Sequence, residues 1–337
     1  MAAETEPLKA PFPAFGGKST VAADVWARFG DVRNFVEPFC FSATTLLRRP
    51  EPCEGTETIN DLNGYVANFW RAVQHAPDAV AAWADNPVNE NDLHAWHSWL
   101  VERKEWLAAR LEGCREFYDA EIAGRWCWGM CCWIGSGWCS GDGPWNRVQG
   151  DDGAWRLIRS GDAGRGVHRK MVHLGNGRGV HRKMVHLGGA GQGVAAWMGT
   201  LAARLRRVRV CCGDWSRVCT PAVTVTLGLT AVFLDPPYSA ETGRDMTCYG
   251  GTDDGAVSHH VRAWCLKRGS DRRLRIALCG YDGEHNELET AGWECFAWKA
   301  RGGYASQGTA AYDNCRRERI WFSPHCLRPE RDRTLFD

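Results

Sequence analysis

Two adjacent prolines, Pro236 and Pro237, stand directly behind the apolar run Ala231-Val232-Phe233-Leu234 and a single acid, Asp235. Proline has no backbone N–H to give to a sheet ladder, and its ring fixes φ. The run is therefore a short buried strand that stops at Asp235 and turns rigidly there. A strand buried on both faces belongs to a sheet covered by helices. Such sheets take their ligands outside the carboxyl ends of the strands, so Asp235 sits where chemistry is expected.

Both ends of the chain share this texture. Val21, Val25 and Phe29, spaced by four behind Gly16-Gly17-Lys18-Ser19, predict a helix that Gly30 ends. Residues 34–37 read as a strand stopped by Pro38, and 56–60 as a second. A helix over about 62–75 then carries Tyr65, Phe69 and Val73 on one side. In the last third, 208–212, 231–234, 274–278, 293–298 and 319–322 read as strands, and 256–267 as a helix. Strands alternating with helices predict an α/β fold with a mostly parallel sheet of about seven strands.

The middle differs. Leu93, Trp96, Leu100, Leu107 and Leu111 keep helical spacing over 91–111, and 116–134 reads as a second helix rich in Trp and Cys. Residues 135–193 are Gly-rich with little periodicity. They hold a perfect repeat, GRGVHRKMVHLG at 164–175 and again at 177–188. Two copies are too few for a solenoid, so the repeat reads as a duplicated surface loop. The expected division is a core built from 1–86 and 204–337, with 87–203 as an inserted domain.

The charge balance narrows the function. Forty-one basic and forty acidic residues leave a net charge of +1. That excludes a polybasic tail protein, and any nucleic-acid surface must come from local clustering. No apolar run approaches the ~18 residues of a membrane span, and the first thirteen residues lack a leader's apolar core. A cytoplasmic protein with no membrane partner is expected, its sixteen cysteines reduced. Cys127, Cys131, Cys132 and Cys139 lack paired Cys-x-x-Cys knuckles and read as core rather than zinc ligands, so no metal is expected. Gly17-Lys18 is not a triphosphate loop, which needs glycine where Phe12 stands.

Acids and flat rings collect at four strand ends: Glu37-Pro38-Phe39, Asn60-Asp61, Gly213-Asp214-Trp215 and Asp235-Pro236-Pro237-Tyr238. An acid ending the second strand suits ribose hydroxyls. The Asp235 carboxylate and the Pro236 carbonyl suit one amino group, and Tyr238 offers a face to a planar ring. That is a site for the exocyclic amine of a base.

Taken in order, Phe15-Gly16-Gly17-Lys18, Glu37-Pro38-Phe39, Asn60-Asp61-Leu62-Asn63, Gly213-Asp214-Trp215 and DPPY at 235–238 resemble the Dam-like adenine-specific DNA methyltransferases. The tail, with Gly292-Trp293, Trp298-Lys299-Ala300 and Arg319-Ile320-Trp321-Phe322, resembles the phage-borne branch. The resemblance covers roughly 10–85 and 204–325. It implies a Rossmann-like core that uses S-adenosylmethionine to methylate the N6 amine of a flipped adenine in double-stranded DNA, with no obligatory protein partner. For a phage protein the setting would be the bacterial host cytoplasm, and the use evasion of restriction.

By the same resemblance Phe15, Gly16, Gly17 and Lys18 close over the cofactor, beside Glu37 and Phe39. Asp61 holds the ribose, Asp214 accepts from the cofactor's adenine amine, and Trp215 lies against that ring. Asp235, Pro236, Pro237 and Tyr238 form the catalytic motif. The insert is where this family recognises its target, which assigns Arg169, Lys170, Arg182 and Lys183 to DNA. DPPY also occurs in RNA methyltransferases, so RNA base methylation is an alternative. The family has Phe-x-Gly-x-Gly where this chain reads Phe39-Cys40-Phe41-Ser42-Ala43, and an aromatic residue often precedes the Phe-Gly-Gly-Lys run where Ala14 stands. These departures leave a non-catalytic DNA-binding remnant as a further alternative.

Overall fold

The computed structural model describes residues 8–14, 17–50, 54–133, 138–139, 145–149, 155–159, 193–239, 256–299 and 316–329. The first half runs α1 (Ala22–Phe29), β1 (Asn34–Glu37), α2 (Thr44–Leu47), β2 (Thr56–Asp61), α3 (Gly64–His75), α4 (Pro77–Ala84), α5 (Glu90–Glu102), α6 (Lys104–Gly113) and α7 (Ala120–Cys132). The second runs β3 (Trp145–Gln149), β4 (Trp155–Arg159), α8 (Val194–Leu205), β5 (Val208–Cys212), β6 (Thr230–Leu234), α9 (Val257–Arg268), β7 (Leu274–Tyr281), α10 (Glu287–Thr290), β8 (Glu294–Ala297) and β9 (Glu318–Phe322).

Seven strands form one mostly parallel sheet in the order β5-β2-β1-β6-β7-β9-β8. β1 is parallel to both β2 and β6, and β6 is parallel to β7. β9 runs antiparallel to β7 and β8. β1 and β6 are buried at every residue, β6 as a nearly apolar run and β1 with Asn34 and Glu37 held by hydrogen bonds to Thr230 Oγ1 and Leu46 N. The order reverses between β1 and β6: the chain leaves β1 toward β2 on one side and later returns to β6 on the other. A crevice at the strand ends opens at such a switch point. The residues that follow these two strands are Pro38-Phe39 and Asp235-Pro236-Pro237-Tyr238.

The chain divides into two compact units, and the division cuts β2 between Ile59 and Asn60. One unit comprises 1–14, 60–214 and 244–254. Its core is aromatic: Phe12 lies 4.9 Å from Trp126 and 5.2 Å from Phe69, ring centre to ring centre. Helices α3, α4, α7 and α8 pack on one another there. Polar side chains tie the ends: Gln74 Nε2 donates to the Leu205 and Val208 carbonyls at 2.6 and 2.9 Å. The other unit comprises 15–59, 215–243 and 255–337. In it α1 and α9 both pack against β7. Val21, Val25 and Phe29 are buried as their spacing predicts, and Gly30 caps α1 with φ 56°.

Several expectations need correction. The helical spacing over 91–111 belongs to two helices, α5 and α6. The break is at Arg103, whose guanidinium lies 4.0 Å from the Trp99 ring and donates to the Trp99 carbonyl at 3.1 Å. The helix expected from 116 starts at Ala120. Asp119 caps it by accepting from Ile122 N at 2.8 Å, and Asn68 fixes Asp119 by exchanging two backbone bonds of 2.8 Å. Residues 135–193 were read as nearly aperiodic, yet β3 and β4 pair there as an antiparallel two-stranded sheet. The repeat at 164–188, with Arg169, Lys170, Arg182 and Lys183, lies outside the described residues, as do Phe15 and Gly16. No helix among the described residues is long and apolar enough to cross a membrane.

Candidate active site

In the second unit, the rigid turn after β6 sets Asp235 and Tyr238 against Lys18. Lys18 lies in the single helical turn Lys18–Thr20 before α1 and is 5% exposed. Its Nζ stands 2.9 Å from Asp235 Oδ2 and donates to Tyr238 Oη at 3.2 Å. The same ammonium lies 5.6 Å from the Tyr238 ring centre and 5.8 Å from that of Trp298. Burial works against this charge, but Asp235 and Glu318 outweigh it and hold the ammonium above its ordinary pKa.

Glu318 was not singled out from the sequence. It opens β9 and sits opposite Tyr281 of β7 in the ladder. Its Oε2 accepts from Tyr238 Oη at 2.8 Å. Burial raises the Glu318 carboxyl above its ordinary range, although Lys18 pulls it down. Burial also pushes the Tyr238 phenol well up, and the charges of Asp235 and Glu318 add to it. Tyr281 meets the Tyr238 ring edge to face at 4.7 Å. Behind the motif, Glu284 pins the chain: it accepts from Ser239 N at 2.7 Å, Ser258 Oγ at 2.6 Å and Tyr281 N at 3.0 Å. The one available signal for Glu318 was an acid abutting the apolar strand 319–322.

Glu37 ends β1 at 2% exposure, and its Oε2 accepts from Leu46 N at 3.1 Å, in the first turn of α2. Glu37 thus closes the loop 38–43 from inside. Burial pushes its carboxyl up to about 8, the Leu46 bond opposes this, and the Asp235 charge adds to the rise. Within that loop Phe41 has φ 33° and Ala43 φ 48°. These are the two positions where the resemblance implies glycine, and the backbone there keeps the left-handed conformation that glycine adopts freely. Beyond it, Phe39 and Trp215 stack at 6.3 Å with 27° between their planes.

In the first unit, Asp61 and Asp214 stand at neighbouring strand ends. Gly213 N donates to the Asp61 carbonyl at 3.1 Å, and Asn60 Nδ2 donates to the Gly213 carbonyl at 2.9 Å. Gly213 has φ 139°, a conformation costly for any residue with a Cβ, so the turn that presents Asp214 calls for glycine. Asp61 Oδ1 accepts from Asn63 N at 2.9 Å, and Asn63 in turn caps α3 through Tyr65 N at 2.9 Å. Asp214 is exposed.

Among the described residues no group of three or more His, Cys, Asp or Glu side chains is placed to hold a metal ion. Cys127, Cys131, Cys132 and Cys139 are buried. Burial raises the Cys127, Cys132 and Cys139 thiols, which suits core residues. No protein-family model matches this chain, and no curated protein matches it.

Proposed function

We propose that this chain transfers a methyl group from S-adenosylmethionine to the N6 amine of adenine in double-stranded DNA. The observation that carries the reading is the setting of the Lys18 ammonium. At the end of β6 a carboxylate takes a nitrogen donor at 2.9 Å, beside the rings of Tyr238 and Trp298. A target amine attached to a flat base needs the same two things, an acceptor and aromatic faces.

The residues present fit the cofactor on two observations. The loop after β1 holds left-handed backbone at positions 41 and 43, so its main chain follows the course that glycines would give it. Asp61 and Asp214 stand at neighbouring strand ends, where carboxylates accept from hydroxyls and amines. In this reading Asp61 holds the ribose and Asp214 the adenine amine. In the other unit Trp215 and Phe39 offer ring faces, and Gly17, Lys18 and Glu37 belong to the loops that the resemblance assigns to the cofactor. When bound, S-adenosylmethionine supplies a sulfonium methyl already activated for transfer.

The chain's own work is on the amine. Adenine N6 is a poor nucleophile because its lone pair is spread into the ring. The Asp235 carboxylate and the Pro236 carbonyl would accept hydrogen bonds from its two N–H groups and favour the pyramidal amine; as the N–C bond forms and the C–S bond breaks, the amine would give up one proton to solvent. Pro236 and Pro237 hold that turn stiff. The base must leave the helix at a cost of about a few kcal/mol, which stacking on Tyr238 offsets. No covalent intermediate with the protein is required.

Asp235→Ala tests this. Methyl transfer is expected to fall about a hundredfold or more, with S-adenosylmethionine binding by calorimetry largely kept. A fully active variant would remove Asp235 from the reaction.

A further inference from the structure

Among the described residues Tyr238 Oη lies near Lys18 Nζ at 3.2 Å, Glu318 Oε2 at 2.8 Å and Asp235 Oδ1 at 3.4 Å. A phenol has one proton to donate, and an ammonium only donates. Lys18 therefore takes the acceptor side of Oη, and the phenol proton goes to one of two carboxylates. The Glu318 distance is ordinary for O–H···O, while the Asp235 distance lies beyond the usual range. The pairing of Tyr281 with Glu318 between β7 and β9 fixes Glu318 in the sheet, so it does not follow the phenol if the ring moves.

We infer that Glu318 is a positioning residue that draws the Tyr238 hydroxyl proton to itself and so keeps Asp235 Oδ1 for the target amine. The inference rests on the reading of Asp235 as the acceptor for that amine. Without Glu318 the phenol's nearest carboxylate among the described residues is Asp235. The hydroxyl then turns to Oδ1 and occupies a lone pair that the amine needs, and the ring that stacks on the base turns with it. Two carboxylates near one cation thus have separate duties: Asp235 faces the substrate, and Glu318 holds the tyrosine.

The test uses the full chain and compares Glu318→Ala, Glu318→Gln, Tyr238→Phe and the double variant Glu318→Ala/Tyr238→Phe. Methylation of DNA is followed with kcat and KM separated. Glu318→Ala is expected to lower kcat about tenfold or more. Glu318→Gln keeps an accepting oxygen and restores most of it. The double variant is more active than Glu318→Ala alone, because no hydroxyl remains to occupy Asp235. A purely structural Glu318 predicts the reverse order, and that order, or a wild-type kcat in Glu318→Ala, overturns the inference. A second readout does not depend on turnover: the carbon NMR signal of the Tyr238 ring, assigned by its loss in Tyr238→Phe. It is expected to shift in Glu318→Ala and hold in Glu318→Gln, and an unmoved signal in Glu318→Ala overturns the inference whatever the chain methylates. A wild type that transfers no methyl while the signal shifts as expected would instead overturn the proposed function and support Glu318's hold on Tyr238.

Discussion

Phe41 and Ala43 hold left-handed backbone, the conformation that glycine adopts freely. For an L-residue the left-handed region costs about 1–2 kcal/mol, and more for a β-branched side chain. Stability in this loop should therefore not follow apolar area. Phe41→Gly, which loses a half-buried ring, is expected to stay within about 1 kcal/mol of wild type because the strain is relieved. Phe41→Val keeps more apolar surface yet should be the less stable variant by denaturant unfolding; the opposite order would mean that φ 33° carries no strain. Glu37 makes a pH prediction. Its carboxyl titrates near 8 in the folded chain against an ordinary 4.5. Between those values the folded chain keeps a proton that the unfolded chain has lost, so stability falls as pH rises across that window. Glu37→Gln still accepts from Leu46 N and no longer titrates. Its melting temperature should match wild type at pH 4–5 and exceed it by several degrees at pH 8. A constant difference at both ends would mean that Glu37 is ionised throughout.

At the scale of elements, the sequence was clearest where turn chemistry bounded an apolar run. β1 and β5 have the expected bounds, because Pro38 and Gly213 end them. Helices were harder to read. α4 is Ala-rich, so its apolar face stands out little, although Pro77 at its first turn was a start signal. α8 keeps Val194, Trp197, Met198, Leu201 and Leu205 on one face, but it follows a long Gly-rich stretch that hid its beginning. In the sequence, Gly150-Asp151-Asp152-Gly153 between β3 and β4 is a turn signal, but the flanking runs hold too few apolar residues in alternation to stand out as strands. Packing adds what spacing cannot show. Gly124 of α7 faces α4, where a Cβ would stand 2.6 Å from the Val80 carbonyl oxygen and 3.1 Å from Ala84 N. Helix propensity alone says that Gly124→Ala stabilises by about 1 kcal/mol. The close backbone approach says that it destabilises by about 1–3 kcal/mol. Thermal unfolding of this variant decides between them, and a stabilised protein would mean that α4 and α7 are not so closely packed.

Across the whole molecule, the strand order explains why so much of the candidate site was readable beforehand. A switch point between β1 and β6 makes two strand ends special, and both carry residue types that stand out in a sequence: an acid before proline, then a ring. Lys18 and Asp235 were both read from the sequence as site residues, but their pairing was not. The contact with Asp235 joins residues 217 positions apart, and spacing says nothing at that range. Glu318 escaped for the same reason, since only the β7–β9 ladder brings it to Tyr238. The basic run Arg204-Leu205-Arg206-Arg207-Val208-Arg209 spans the end of α8 and the start of β5, and that start lies roughly 17 Å of strand from the end that presents Asp214. With a net charge of +1, DNA contact cannot rest on overall attraction and must come from local groups. Whether DNA adenine is the substrate is tested most directly by mapping modified bases. DNA from a bacterial host expressing the wild-type chain is compared with DNA from the same host expressing Asp235→Ala at equal levels of folded protein. The expected result is N6-methyladenine at one short sequence with the wild type and its loss with Asp235→Ala. Unmodified DNA with the folded wild type, or methyl groups on RNA bases instead, would contradict the assignment.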